Sequence, residues 1–352
     1  MTTTPVTLRD VALAMGVSHT TVSNAYNRPA KLSEQLRRQI LDTAATMGYQ
    51  GPDPLAAGLV RGQAGALGVI FDETLATALT DPAAQLFLQG VARAGQDSAV
   101  GLTLLPAPRS GADDTATAAR IALVDGFVVY SVALDHPGFQ AARRRRNVPL
   151  IVVDEPVPPL GDDWMYLGVD DRGGAHQAAR HLLDLGHRRI AILVDRLTQG
   201  DHRGPVSSVR LAATTYQTAR ARLDGYLSAL DGHVPIWECG GGTPEHADPA
   251  TRALLAAAPE HRVTAILAMT DELARGVLRT AADLGIDVPG ELSVVGFDDV
   301  PEAGRTDPPL TTVRQPLSEK GTLAVEMLTG VRSTGDRLPT ELVVRGSTAP
   351  TP

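Results

Sequence analysis

Two short apolar stripes separated by a single glycine dominate residues 7–27, TLRDVALAMGVSHTTVSNAYN. Leu8, Val11, Ala12 and Met15 recur at i, i+3, i+4 and i+7, the spacing that gathers side chains on one face of a helix. Thr7 stands at the N-cap position, and Asp10 lies in the first turn, where a carboxylate complements the helix dipole. Gly16 ends this helix, because glycine turns through positive φ at no steric cost. Ser18 caps a second helix, with Val17 placed to pack on Val22 as a hydrophobic staple. On that helix Val22 and Tyr26 face inward, while His19, Thr20, Ser23 and Asn24 lie on the other side. A third helix follows, capped by Ser33, striped by Leu36, Ile40, Ala44 and Met47, and stopped by Gly48. A purely stabilising outer face would favour Lys, Glu and Ala. Short polar groups at the start of the second helix instead suit base edges and phosphates, so the segment predicts a DNA-facing helix-turn-helix.

From Leu67 the period changes. Short apolar runs at 67–71, 102–105, 126–130, 150–154, 189–194, 265–269 and 292–297 alternate with helical stretches, and 340–347 reads as the last strand. Strands alternating with helices predict parallel sheets built from right-handed crossovers, and strands this apolar are covered on both faces. The runs fall into two similar sets near residue 168. The expected fold class is therefore α/β: an all-α headpiece followed by two doubly wound parallel-sheet subdomains facing a cleft. In such folds ligands bind at the carboxyl ends of the strands.

At 352 residues the chain is long enough for two or three cores. The net charge of −8 is unevenly spread. Residues 1–62 hold six Lys/Arg and four Asp/Glu, net +2, and the remainder holds 26 and 36, net −10. An acidic body confines attraction for phosphate to the headpiece, and a headpiece this mildly basic needs a second copy to bind tightly. The single Cys239 excludes an internal disulfide and a multi-cysteine metal site, and fits a reducing compartment. There is no apolar run of membrane-spanning length and no basic-then-apolar leader, so the expected location is cytoplasmic, with the nucleoid. RRRR at 143–146 reads as a solvated helix end, GGG at 240–242 as a turn, and His181 and His187 as structural or capping. Trp237 is expected to pack at a strand end. No catalytic constellation appears. The reading calls for no enzyme activity, no cofactor and no metal.

The run TLRDVALAMGVSHTTVSNAYN, then LSEQLRRQILDTAATMGY and a hinge, resembles the headpiece of the LacI/GalR family of bacterial transcription regulators. The body resembles that family's effector domain, itself similar to periplasmic sugar-binding proteins. The matching runs are VDDRGGAHQAARHLLDLGHRRIAIL at 169–193, ARLDGYLSAL at 221–230, MTDELARGVLRTAADLGIDVPGELSVVGFDD at 269–299 and PPLTTVRQP at 308–316. The resemblance implies a homodimer on a palindromic operator, most simply a repressor, controlled by a small polar, sugar-like effector. It assigns base reading to His19, Thr20 and Asn24, and phosphate contacts to Thr7, Ser18, Thr21 and Asn27. In the hinge, Ala56 and Leu59 face DNA, Leu59 opening the central base step from the minor groove. The effector contacts it implies are Arg222, Asp298, Asp154 across the cleft, and Thr270, with Asp271 capping the next helix. The hinge departs from the family pattern at Ala57 and Val60, where basic or polar residues are usual. Gly58 weakens a hinge helix by about 1 kcal/mol relative to Ala. Arg61 is its one cation.

The expected divisions are 1–50 for the headpiece and 51–64 for the hinge. One body subdomain takes 65–168 with about 300–316, the other 169–299 with about 317–352. Segment 196–220 is longer than a strand-helix link requires and reads as a cavity wall or a surface excursion. Two rival readings are weaker. A solute-binding transport component leaves the first 62 residues unexplained, and an α/β enzyme with a DNA-binding appendage lacks catalytic residues.

Overall fold

The computed structural model describes residues 6–51, 62–71, 74–107, 112–155, 164–200, 202–231, 234–258, 260–332 and 337–351. The chain divides into two compact units at Gly65. The segment 52–61 of the expected hinge, with Ala56 and Leu59, lies outside the described residues.

The first unit contains α1 (Leu8–Met15), α2 (His19–Asn27), a 3-10 turn (Pro29–Lys31) and α3 (Glu34–Met47). Val11, Ala12, Val22, Ala25, Ile40 and Ala44 form its buried core, with Val17, Tyr26 and Tyr49 among the residues packed around it. The caps follow local chemistry. The Thr7 amide and hydroxyl both donate to Asp10 Oδ2, at 2.8 and 2.7 Å. Those bonds hold the Asp10 carboxyl below its usual value. Gly16 (φ 64°) and Gly48 (φ 81°) end α1 and α3 in the left-handed conformation.

The second unit has two lobes. The N-lobe sheet contains β1 (Ala66–Phe71), β2 (Gly101–Pro106), β3 (Gly126–Tyr130), β4 (Leu150–Val153) and β5 (Met165–Val169), with β12 (Arg337–Leu338) at its edge. Its order is β12-β5-β4-β3-β1-β2, and every pairing is parallel. The C-lobe sheet contains β6 (Ile190–Val194), β7 (Gly204–Pro205), β8 (Ile236–Glu238), β9 (Ala265–Ala268), β10 (Ser293–Asp298), β11 (Thr311–Arg314) and β13 (Glu341–Val343). Its order is β13-β11-β10-β9-β6-β8-β7, with antiparallel strands only at the two edges.

Helices sandwich both sheets. In the N-lobe these are α4 (Leu75–Ala78), α5 (Pro82–Asp97), α6 (Ala112–Ile121), α7 (Pro137–Arg143) and, late in the chain, α13 (Leu317–Leu328). In the C-lobe they are α8 (Asp171–Asp184), α9 (Ser208–Ala212), α10 (Gln217–Ala229), α11 (Pro244–Leu255) and α12 (Asp271–Asp283). Each sheet has a buried apolar layer on both faces, as strands such as IAILV require.

The tail exchanges lobes in the opposite sense to the sequence expectation. Residues 311–314 pair with β10 in the C-lobe, not in the first subdomain, because Val295–Asp298 and Thr311–Arg314 run parallel in register. Residues 317–338 return to the N-lobe. There α13 packs on α5 where Gly90 faces the Ser318 carbonyl and Gly321 faces the Phe87 carbonyl, approaches that leave no room for a Cβ. Only β13 and the residues after it rejoin the C-lobe.

Candidate functional site

The carboxyl ends of both sheets border a cavity of about 440 Å³. Asp154, Arg222, Thr270 and Asp298 all line it. So do Phe71 and Tyr130 from the N-lobe strands and Asp81 at the start of α5. Ser131, Asp154, Asp298 and Asp299 all have positive φ just where β3, β4 and β10 end (53°, 67°, 121° and 56°). Such conformations cost free energy for non-glycine residues and cluster where the fold holds side chains for a task.

Arg222 enters from α10 and is buried. Its Nε donates to Asp171 Oδ1 at 2.8 Å and its Nη1 to the Met269 carbonyl at 2.7 Å. Nη1 also lies 3.7 Å from Asp298 Oδ1, and the guanidinium stacks 3.7 Å from the Phe297 ring centroid. Burial opposes its charge, but the carboxylates of Asp171 and Asp298 hold it firmly protonated. Burial likewise pushes Asp298 up to about 7, despite the pull of Arg222 and a hydrogen bond from Gln315. Burial also raises Asp171, partly offset by Arg222. Asp154 Oδ2 accepts from Lys320 Nζ at 2.6 Å, and its buried Oδ1 has no hydrogen-bond partner among the described residues.

Thr270 is the N-cap of α12, accepting from the Leu273 amide at 3.2 Å. Asp271 is therefore not the cap. It is fully buried, accepting from the Val300 amide at 2.9 Å and from the Thr312 hydroxyl. Sequence reasoning missed Asp171, Gln315 and Lys320. A signal for Lys320 exists: it occupies the buried stripe of α13 between Leu317 and Ala324, where an apolar residue belongs. Segment 196–220 forms part of the cavity wall through Arg196, Tyr216, Thr218 and Ala219. It is anchored by β7 on β8 and by Arg210, whose guanidinium donates twice to the buried Glu238 at 2.8 Å.

In the first unit, Ser18, His19, Thr20, Thr21, Asn24 and Asn27 are gathered on α2 and its cap. Ser18 Oγ accepts from the Thr21 amide at 3.0 Å and lies 2.8 Å from the Thr21 hydroxyl, so these two groups fix the helix start. His19 and Thr20 are exposed and Asn24 is half-buried. Asn27 Nδ2 donates to Ser23 Oγ at 3.3 Å. Thr7 is exposed at the start of α1.

The features set aside by the sequence fall in structural places. Arg143 lies 4.7 Å from the Trp164 ring centroid, and Arg145 donates to the Ala119 and Ala122 carbonyls. His187 bonds the Thr264 hydroxyl and the Ala349 carbonyl, which fastens the end of the chain to the C-lobe. Among the described residues no helix is long and apolar enough to cross a membrane, and no cluster of side chains could hold a metal ion.

A polar-faced helix-turn-helix joined to a two-lobed body with a charged, ligand-sized cleft defines a DNA-binding regulator. Residues 7–51 match the family of bacterial regulatory proteins, lacI family, and residues 179–348 match the periplasmic binding protein-like domain. The chain is 41% identical over 331 residues to the HTH-type transcriptional regulator IpsA of Corynebacterium glutamicum, covering 92% of this chain and 90% of that one. A solved LacI-family transcriptional regulator from Corynebacterium glutamicum is 36% identical with a TM-score of 0.73, covering 97% of this chain and 98% of that one. The transcriptional regulator CelR, solved as a complex with cellobiose, is 26% identical with a TM-score of 0.67, covering 97% and 99%. The chain belongs to the lacI family of bacterial regulatory proteins and is an HTH-type transcriptional regulator.

Proposed function

We propose that the protein is a cytoplasmic repressor that binds a palindromic operator as a homodimer and is controlled by a small polar, sugar-like effector in the interlobe cavity. The observation that carries this reading is the meeting of Asp154 from one lobe with Arg222 and Asp298 from the other, one carboxylate oxygen of Asp154 lacking a hydrogen-bond partner among the described residues. Carboxylates accept from hydroxyls, and a stacked guanidinium supplies oriented donors. The cellobiose held by CelR supports a carbohydrate as the ligand class.

His19, Thr20 and Asn24 read bases in the major groove, while Thr7, Ser18, Thr21 and Asn27 contact phosphates. Ala56 and Leu59 act in the hinge, Leu59 opening the central step. The mild charge of the headpiece favours a dimer, because two copies double the phosphate contacts. Effector binding shifts the lobes through its differential affinity for two arrangements, and the hinge transmits that shift.

The test is selection from a random duplex pool by the purified full-length protein at low ionic strength, with and without neutral sugars. Enrichment of an inverted repeat, altered by a sugar, supports the reading. No enriched inverted repeat under any condition overturns it. The same assay reads whether the effector releases DNA or promotes binding.

A further inference from the structure

Lys320 is the one lysine in the buried interior among the described residues, and its side chain is 0% exposed. A buried ammonium is stable only when its donors are satisfied. Here Nζ donates to Asp154 Oδ2 at 2.6 Å and to Gln315 Oε1 at 2.7 Å. The amide of Gln315 donates in turn to Asp298 Oδ1 at 2.5 Å. Asp154 ends an N-lobe strand, Asp298 ends a C-lobe strand, and Gln315 stands where the chain crosses from β11 to α13. Lys320 itself sits behind the cavity and does not line it.

We infer that Lys320 is a positioning residue for the effector site: it holds one oxygen of Asp154 so that the other remains an acceptor for a ligand hydroxyl. Through Gln315 it also joins Asp154 to Asp298, so the two lobes present their carboxylates as one unit. The inference rests on the effector reading of the cavity. It accounts for two facts together, the unpartnered Asp154 Oδ1 and the charge in an otherwise apolar helix stripe.

The experiment uses the full-length protein without ligand, so its failure is distinct from failure of the effector reading, which the sugar screen decides. Lys320→Met, Asp154→Asn and the double variant are unfolded in urea. Each single variant strands one member of the pair, so the double variant loses less stability than the sum of the singles. A second readout is the pH profile of stability around Asp298. Facing Asp298 are Arg222 from α10, Lys320 from α13, Asp81 at the start of α5, Asp271 from α12 and the buried phenols of Tyr130 and Tyr226. Removing the Lys320 charge moves the Asp298 midpoint to higher pH, which a packing defect alone does not do. Gln315→Leu keeps the lysine–aspartate pair and breaks the link to Asp298. It moves the same midpoint upward, and it serves if Lys320→Met does not fold. An additive cycle with an unmoved midpoint, or an unmoved midpoint in Gln315→Leu, overturns the assignment.

Discussion

Asp298→Asn is expected to stabilise the ligand-free protein above neutral pH, although it alters a residue that lines the interlobe cavity. Burial lifts the Asp298 carboxyl from its ordinary 3.8 to about 7. At roughly 1.4 kcal/mol per unit, ionising it in the folded state costs on the order of 4 kcal/mol relative to the unfolded chain. The folded value lies above the unfolded one. Its favourable contribution is therefore complete below about 3.8 and is lost as pH rises through about 7. Asparagine keeps the acceptor for Gln315 Nε2 and resembles the protonated acid, so it escapes that cost. Burial also raises Asp271, so the variant retains part of the descending slope. Both tryptophans, Trp164 and Trp237, lie in the body, which makes urea unfolding followed by fluorescence a body-specific assay. At about pH 8 the variant should unfold at higher urea than the native protein, and near pH 4 the two should converge. A variant less stable at pH 8, or one with an unchanged pH slope, would refute a buried, reluctantly ionised Asp298. Stability gained where function is lost is the usual trade-off at a ligand site.

Arg222→Ala leaves Asp171 and Asp298 without their cation and should cost about 3–5 kcal/mol of body stability, read from the same urea midpoint, with the effector response lost. A near-native midpoint would mean that the carboxylates are not held by Arg222. Ser18→Ala removes the acceptor for the Thr21 amide and should lower α2 stability by about 1 kcal/mol, visible as faster amide exchange along α2. Asn24→Ala should change which base is preferred in an operator selection, and an unchanged preference removes Asn24 from the reading face.

Local chemistry was the legible part. The Thr7–Asp10 cap, the Gly16 and Gly48 stops and the Ser18 cap depend on residues at most five apart in sequence, so pattern alone locates them. The apolar runs located eight strands, but β5, β8 and β11 escaped, as did the two-residue edge strands β7 and β12. Met165–Val169 starts half-buried, Ile236–Glu238 is only three residues long, and Thr311–Arg314 carries hydroxyls that are buried by bonding, as Thr312 is to Asp271. Asp154, Arg222, Thr270 and Asp298, expected from the resemblance, all line one cavity. Their supports were not expected, because Asp171 lies 51 residues from Arg222 and Lys320 lies 166 from Asp154, and no local period encodes such pairs. The lobe exchange of the tail was misread for a related reason: the close approach of Gly90 and Gly321 is set by packing between distant helices.

The crossovers explain why a cleft ligand can act on the whole body. The chain passes between lobes three times, from β5 to α8, from β11 to α13 and from β12 to β13. Asp171 opens α8 just after the first crossing, and Gln315 stands within the second. Both belong to the bonded series Asp154, Lys320, Gln315, Asp298, Arg222, Asp171. Rotation of one lobe against the other must stretch that series or carry it along. A ligand bonded to a single lobe has equal affinity for both arrangements and shifts neither. Moving the population from 1:99 to 99:1 needs about 5.5 kcal/mol of differential affinity. Hydrogen bonds to charged groups contribute about 1.5–3 kcal/mol each, so two to four bonds made in only one arrangement suffice. On the proposed effector reading, Asp154 and Asp298 would supply such bonds from opposite lobes. The response should therefore belong to molecules with hydroxyls at both ends, and a ligand stripped of either end should bind without switching.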